Sequence, residues 1–208
     1  VNPYDETLAA SAPMQKHNLS INGGTDKITY YGSIGFQNQD GIYRINTDNL
    51  KRYNLMLNLN SQVNKWFNMG FRTAYNNSTY NEPVNPAGKG GWWTAMSQEP
   101  NRNVFMPVKT PASSPVGEIY TDNIVSFMEY GSKNTENNSS LVMTLSPKVT
   151  LTQGWNVRAD VSYKNQGNYT KTFVPLHRRL ETNWNTTTTH TDPSRIYKYD
   201  FGSNQYTI

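Results

Sequence analysis

The sequence lacks cysteine, long apolar runs and clusters of basic residues, and each absence excludes a class of protein. Without cysteine there is no disulfide framework, no thiolate metal site and no cysteine nucleophile. Without a run of about 18 apolar residues there is no transmembrane helix, although membrane-spanning β-strands stay open. The net charge of +4 is spread along the chain, so nothing indicates a nucleic-acid partner.

Apolar residues are also scarce, since the hydrophobic fraction is 35% and ordinary globular chains, with glycine counted, reach roughly 45–50%. Aromatic residues are plentiful by contrast, with 14 Tyr and 5 Trp among the 208 residues. Asn and Thr, which favour turns and solvated strand faces, are heavily used. The composition indicates a polar, aromatic-rich β protein. Because the sequence begins at Val1 without Met and shows no signal peptide, we expect it to be part of a longer chain.

Six segments alternate apolar and polar residues, which is the pattern of strands with one apolar face. In the segment "ITYYGSIGF", Ile28, Tyr30, Ile34 and Phe36 fall on one side. The predicted strands cover approximately residues 16–21, 28–37, 51–62, 66–75, 140–151 and 155–164. The stretch 76–138 and the residues after 170 lack this periodicity and are predicted to be loops.

The connections between these strands alternate in length along the chain: short, long, short, very long, short, long. In an up-and-down sheet this order places every short turn at one end and every long loop at the other. Transmembrane barrels have this asymmetry, and a soluble sandwich has no physical reason to keep it. We therefore predict an all-β fold, an antiparallel up-and-down meander of about six strands from a large transmembrane β-barrel with long extracellular loops.

The two faces of the predicted strands differ in polarity, so we assign one to lipid and the other to a wet lumen. The residues expected to face lipid are Tyr30, Ile34, Leu55, Leu57, Phe71, Leu145 and Val157. Those expected to face the lumen are Asn58, Arg72, Arg158 and Asp160. Trp66 and Trp155 each open a strand after a short turn, where a membrane interface would lie, although Trp also caps soluble β-hairpins.

Several segments, in order, resemble the start of the barrel in SusC/RagA-type TonB-linked outer-membrane proteins. They are "APMQKHNLSINGG", "TYYGSIGFQNQDGI" and "INTDNLKRYNLMLNLNSQVNKWFNMG", followed by "AMSQEPNRNVFMP" and "FMEYGSKNTENNSSLVMTLSPKVTLTQGWNVRADVSY". The matching residues are His17, Asn18, Leu19, Ser20, Gly23, Gly24, Tyr30, Tyr31, Asp40, Gly41, Ile42, Arg52, Tyr53 and Asn54. The sequence departs from the family pattern by inserting Lys16 between Gln15 and His17.

The resemblance implies a function that spacing alone does not show. Members are barrels of about 22 strands that import nutrients such as glycan oligomers or peptides through the outer membrane of Gram-negative bacteria. A plug domain fills the barrel, TonB supplies the energy, and a SusD-like lipoprotein closes the extracellular mouth. Residues 1–15 would then be the plug-to-barrel link, 16–169 the first strands with the long loop 76–138, and 170–208 a loop region entering the next strand.

No motif indicates an enzyme, a metal site or a cofactor. The three histidines lack HExxH spacing, and "AGKGGWW" lacks the GxxxxGK[ST] pattern of a phosphate loop. A carboxylate pair such as Glu118 and Asp122 would suit a glycosidase fragment, but almost any chain contains such a pair. We expect a non-enzyme without a cofactor.

The segment 91–105 contains the candidate substrate-binding residues Trp92, Trp93, Asn101 and Arg102. Adjacent aromatic rings in a long loop could stack on the apolar faces of sugars, while Asn and Arg supply hydrogen bonds. The alternative is a short helix at 91–98 that packs its aromatics against the barrel rim, the plug or the lipoprotein. A soluble secreted glycan-binding β-sandwich that uses the same two Trp is the alternative for the whole chain.

Overall fold

The computed structural model describes residues 3–83, 108–114, 117–118, 120–121, 124–129, 133–174, 177–183, 186–192 and 195–207. Two short helices, α1 (Pro3–Thr7) and α2 (Ile124–Glu129), are the α-helices of this part of the chain. Neither helix has the length or the apolar content needed to cross a membrane. Strands therefore form most of the described structure.

One antiparallel sheet of eight strands dominates the fold. Its strands are β1 (Met14–Gly24), β2 (Ile28–Asp40), β3 (Asn49–Gln62), β4 (Phe67–Pro83), β6 (Lys133–Thr152), β7 (Trp155–Arg158), β8 (Val161–Val174) and β11 (Arg195–Thr207). Their spatial order is β1-β2-β3-β4-β6-β8-β11, with β7 paired to β6. Apart from the short β7, consecutive strands of this sheet are thus neighbours, which confirms the predicted all-β, up-and-down meander.

A smaller sheet joins the two longest connections. It consists of β5 (Tyr120–Thr121), β9 (His177–Asn183) and β10 (Thr186–Asp192), in the order β10-β9-β5. β9 and β10 form an antiparallel hairpin, whereas β5 pairs with β9 in parallel. A segment from the connection between β4 and β6 therefore contacts a segment from the connection between β8 and β11.

Several strands extend further than the sequence pattern predicts. β4 continues to Pro83, β6 begins at Lys133, and β8 to β11 occupy much of the region after 170 that was predicted to be loop. The added parts of β4 and β6 carry Asn, Ser and Thr on both faces, so no apolar alternation marks them. Cross-strand side-chain bonds accompany the backbone ladder there, including Asn137 Nδ2 to Thr79 Oγ1 at 2.8 Å and Thr135 Oγ1 to Asn81 Oδ1 at 2.7 Å.

The last predicted strand, 155–164, is divided into β7 and β8 at residues 159–160. The pairing of β6 with β7 is irregular between Thr150 and Thr152. Gly154 in the preceding turn has a φ of +85°, which favours glycine. This break lets Asp160 leave the regular ladder.

Within the described part of the chain, nothing packs over the apolar face of the main sheet. Its large apolar side chains are exposed, for example Leu19 at 71%, Ile21 at 63% and Ile34 at 54% of their surface. Among the described residues the buried hydrophobic core consists of Met128 in α2. Soluble monomers rarely expose apolar surface this continuous.

Candidate functional site

The strand register gives the main sheet one apolar face and one polar face. Directly paired residues of antiparallel strands point to the same side, so the register decides which side chains share a face. The seven residues predicted to face lipid all lie on the apolar face. The pairs that establish this are Ile34 with Leu55, Gly32 with Leu57, Tyr30 with Leu59, Leu59 with Phe71, Phe71 with Leu145, and Val149 with Val157.

The four residues predicted to face the lumen lie together on the polar face, near the end with the short turns. Asn58 is paired with Arg72. The Asp160 carboxylate accepts a hydrogen bond from the Ser146 hydroxyl and forms an ion pair with Arg158, with 3.2 Å between Nη2 and Oδ1.

Nearer the long-loop end, the polar face carries a depression of about 640 Å³, here called the amide patch. Two cross-strand rows from β3, β4, β6 and β8 supply its side chains. One row consists of Arg52, Ser78, Asn138 and Asn168, and the other of Asn54, Asn76, Ser140 and Gln166. These two rows contain carboxamides, hydroxyls and a single guanidinium, and they contain no carboxylate.

This composition suits a polar, uncharged ligand. Each carboxamide offers both donors and an acceptor, and each hydroxyl can act either way. Sugar hydroxyls and peptide groups need that combination. The sequence pattern placed Asn54 on a polar strand face and left Asn76 in the predicted loop 76–138. It singled out neither residue, because β4 and β6 were predicted to be too short for the rows to align.

At the long-loop end, a second polar cluster surrounds Asp48, which is 9% exposed. Its carboxylate accepts hydrogen bonds from the Tyr43 amide and the Tyr80 hydroxyl, each at 3.3 Å. Burial, together with the nearby carboxylates of Asp48 and Glu82, raises the pKa of the Tyr80 phenol to about 12. Burial and the same two carboxylates also raise the pKa of Tyr43. The cluster fixes the loop between β2 and β3 onto β4.

No protein-family model matches the chain. The TonB-dependent receptor P26 of Formosa agariphila is 27% identical over 104 residues, which are 50% of this chain and 10% of that protein. Among solved structures, the RagAB peptide importer in the "closed-closed" state has a TM-score of 0.61 at 16% identity, and the RagAB peptide transporter has 0.56 at 17%. The predicted resemblance to SusC/RagA-type TonB-dependent transporters is confirmed.

The chain accounts for a minor part of these transporters. It covers 22% of each matched RagAB chain, while 98% of its own length takes part in the superposition. At this level of identity the RagAB structures show a shared fold.

The candidate binding residues Trp92, Trp93, Asn101 and Arg102 lie outside the described residues. Within the described part, no group of three or more His, Asp or Glu is arranged to hold a metal ion. His17 instead stacks on Phe36 across β1 and β2, with 6.4 Å between ring centroids. The amide patch is the candidate binding surface that the structure adds to the sequence-based candidates.

Proposed function

We propose that this chain forms part of the barrel wall of a TonB-dependent nutrient importer in the outer membrane of a Gram-negative bacterium. The observation that carries the proposal is the uncovered apolar face of the sheet with a polar face behind it. The similarity to a TonB-dependent receptor and the shared fold with RagAB support it. In this arrangement the apolar face meets lipid and the polar face lines the lumen.

The apolar face has the dimensions of a membrane belt. On β4 it runs from Phe67 to Tyr75, close to the roughly 9–11 tilted residues that cross the hydrocarbon. Trp66, 56% exposed, lies at its short-turn end, and Tyr53 and Tyr75 lie toward its other end. Aromatic side chains with one polar atom are favoured at both interfaces of a bilayer. Beyond Tyr75 the same face carries Asn and Thr.

A soluble β-sandwich fits this sheet poorly. A sandwich requires a second sheet packed on the apolar face, and the described residues supply none there. Burying a fully exposed Leu or Ile side chain stabilises a protein by about 1.5–3 kcal/mol. A sheet whose apolar face stays in water lacks this stabilisation at each apolar residue of that face. Lipid supplies the cover in the barrel.

The proposed mechanism is binding followed by gated passage. Ligand is captured at the long loops and by the amide patch, and it moves inward when TonB displaces the plug. A SusD-like lipoprotein would close the long-loop end. The amide patch suits oligosaccharides as well as peptides, and the RagAB complex is a peptide importer. No catalytic step is assigned to any residue.

A matched pair of substitutions tests the assignment of the faces. Leu57 and Asn58 are neighbours on β3 with side chains on opposite faces. Arginine on the lipid face costs about 2–4 kcal/mol near the bilayer midplane, whereas arginine on the lumen face changes selectivity more than insertion. We expect Leu57→Arg to reduce the folded fraction of the full-length protein, measured by heat-modifiable gel mobility of outer membranes.

Asn58→Arg is the control and should assemble like the wild type. Equal loss of the folded band in both variants, or loss in Asn58→Arg alone, would contradict the proposed orientation of the sheet.

A further inference from the structure

The side of the main sheet that bears the apolar face becomes polar toward the long-loop end, in a region here called the lysine band. Directly paired residues point to the same side, so the register defines the band as the rows that follow Tyr53 across β2, β3, β4, β6 and β8. These rows are Asn38, Lys51, Thr79, Asn137 and Tyr169, then Asp40, Asn49, Asn81, Thr135 and Lys171, and then Pro83, Lys133 and Phe173. The band therefore continues the apolar face on the same strands.

Positive charge predominates in the lysine band. Lys51, Lys133 and Lys171 are exposed, and none of these lysines forms an ion pair with another described residue. The carboxylate in the band belongs to Asp40, which accepts a hydrogen bond from the side-chain amide of Asn49 at 2.7 Å. The band thus carries more ammonium groups than carboxylates, and its field attracts anions.

Two of the lysines are close enough to share one anion. Lys171 is paired with Thr135, which lies two residues from Lys133 on β6. Diagonal neighbours of this kind are about 7–8 Å apart across a sheet. Each ammonium group has three N–H donors on a flexible stem, so both lysines can donate to a phosphate that lies between them.

The short-turn end of the same side lacks these cations. Its strands end there in apolar residues such as Val149, Leu151 and Val157. In β1 to β4 and β6 to β8, this side of the main sheet carries no arginine, and its lysines are the three of the lysine band. The outer surface of these strands is therefore cationic at the long-loop end alone, which suits a membrane whose two leaflets differ in their headgroups.

We propose that the lysine band binds the phosphate groups of a phosphorylated glycolipid in the leaflet at the long-loop end. The proposal rests on the proposed function, which places the apolar face in the outer membrane. Charge complementarity favours a phosphate-bearing occupant, and continuity with the apolar face favours one that has acyl chains as well.

The height of the band favours a saccharide headgroup over that of a phospholipid. Ser139 lies in the row of Tyr53, and the strand from Ser139 to Lys133 is about 20 Å long. At a strand tilt of about 45° this length spans about 14 Å of the membrane normal, whereas a phospholipid headgroup layer is about 5–8 Å thick. The amides of Asn81 and Asn137 in the band add donors and acceptors that suit sugar hydroxyls.

The test uses the full-length transporter in detergent with Lys51→Gln, Lys133→Gln and Lys171→Gln combined. The control combines Lys16→Gln, Lys27→Gln and Lys65→Gln, which remove the same charge from exposed lysines outside the band. The probes are bisphosphorylated lipid A, the same lipid after dephosphorylation, and phosphatidylglycerol. The Kd of each probe is measured for each protein at low and high salt.

We expect the Kd of the band variant for bisphosphorylated lipid A to rise roughly a hundredfold at low salt and much less at high salt. The control should bind this lipid like the wild type, and dephosphorylated lipid A should bind equally to all three proteins. A third variant with arginine at the three band positions keeps the charge and should keep the affinity. It also provides the comparison if the glutamine variant does not fold, because its binding and that of the wild type should weaken with salt.

The proposal is overturned if the band variant and the control bind bisphosphorylated lipid A equally, or if salt does not weaken the binding to the wild type. It is also overturned if the affinity for dephosphorylated lipid A or for phosphatidylglycerol falls by the same factor, because the band then selects neither phosphate nor glycolipid. Normal heat-modifiable mobility of the variants would in each case leave the proposed barrel-wall function intact.

Discussion

The wall and the rim of this structure are stabilised in opposite ways. The wall is the part of the main sheet that bears the apolar face, and the rim is the long-loop end with α1, the loop 41–48 and α2. The wall leaves large apolar side chains exposed, whereas the rim buries Thr7, Thr121, Ser126 and Met128 almost completely. In the proposed barrel, the wall would therefore be covered by its surroundings, while the rim is organised by the chain itself.

Hydrogen bonds account for the buried polar groups of the rim. The Val108 carbonyl accepts bonds from the Ser126 hydroxyl at 2.7 Å and from the Thr121 amide at 3.0 Å. The Thr7 carbonyl accepts a bond from the Arg44 amide at 2.8 Å. A buried polar group without such a partner costs about 1–3 kcal/mol. The rim is consequently sensitive to substitutions that disturb its geometry, even where they remove no apolar surface.

The largest effect should come from Gly41→Ala. A Cβ at Gly41 would lie 1.8–1.9 Å from the carboxylate atoms of Asp48, so Asp48 must move and lose its bonds to Tyr43 and Tyr80. Breaking the bonds of a buried carboxylate should cost the rim about 2–3 kcal/mol. Hydrogen exchange at the Tyr43 amide should become much faster in the full-length protein, while heat-modifiable mobility stays normal.

Gly32→Ala on the wall is the matched control, since a Cβ there would make ordinary contacts of 3.6 Å to Ile21 and 4.0 Å to Leu57. The distinction between rim and wall does not hold if Gly41→Ala abolishes membrane insertion of the wall. It also does not hold if the Tyr43 amide exchanges its hydrogen equally fast in both variants.

A smaller effect is expected for Asp48→Asn, which removes the charge but keeps a hydrogen-bond acceptor. The pKa of Tyr80 should fall from about 12 toward the ordinary 10.0, because the neighbouring carboxylate opposes ionisation of the phenol. The measurement is tyrosinate absorbance as a function of pH, with Tyr80→Phe subtracted to isolate this residue. An unchanged pKa would show that the charge of Asp48 does not contribute to the shift.

The same shift predicts how the stability of the rim depends on pH. The pKa of Tyr80 is raised in the folded state, so the contribution of this residue to the stability of the rim is fully present below pH 10. It is lost as the pH rises from 10 to about 12, because the unfolded tyrosine ionises first. The hydrogen-exchange rate of the Tyr43 amide, corrected for the intrinsic effect of pH on exchange, should report this loss of stability. The loss should be smaller in Asp48→Asn.

The smallest effect is expected for Glu118→Gln. Its ion pair with Lys109 spans 3.3 Å, but the two side chains are 57% and 41% exposed. Exposed ion pairs contribute at most about 1 kcal/mol to the free energy of unfolding, and their contribution decreases with salt. The melting temperatures of the wild type and the variant should agree closely. A clear fall in the melting temperature of the variant would mean that surface charge also organises the rim.

Some of the fold could be predicted because it follows from local chemistry. Side chains on a strand alternate between faces whatever the strand pairs with, so Leu55 and Leu57 were assigned to one face and Asn58 to the other from their spacing alone. The lengths of the connections predicted the up-and-down order, and the order of the quoted segments predicted the family. The extensions of β4 and β6 were missed because Asn, Ser and Thr on both faces carry no periodic signal.

The amide patch and the Asp48 cluster were decided only by the tertiary structure. Arg52 and Asn168 lie in one cross-strand row because β3, β4, β6 and β8 pair in one register, and a shift of one residue would turn every side chain to the opposite face. The sequence by itself determined which residues of each strand share a side. Which of them meet across strands depended on long-range pairing, because contacts between distant segments have no pattern within either segment alone.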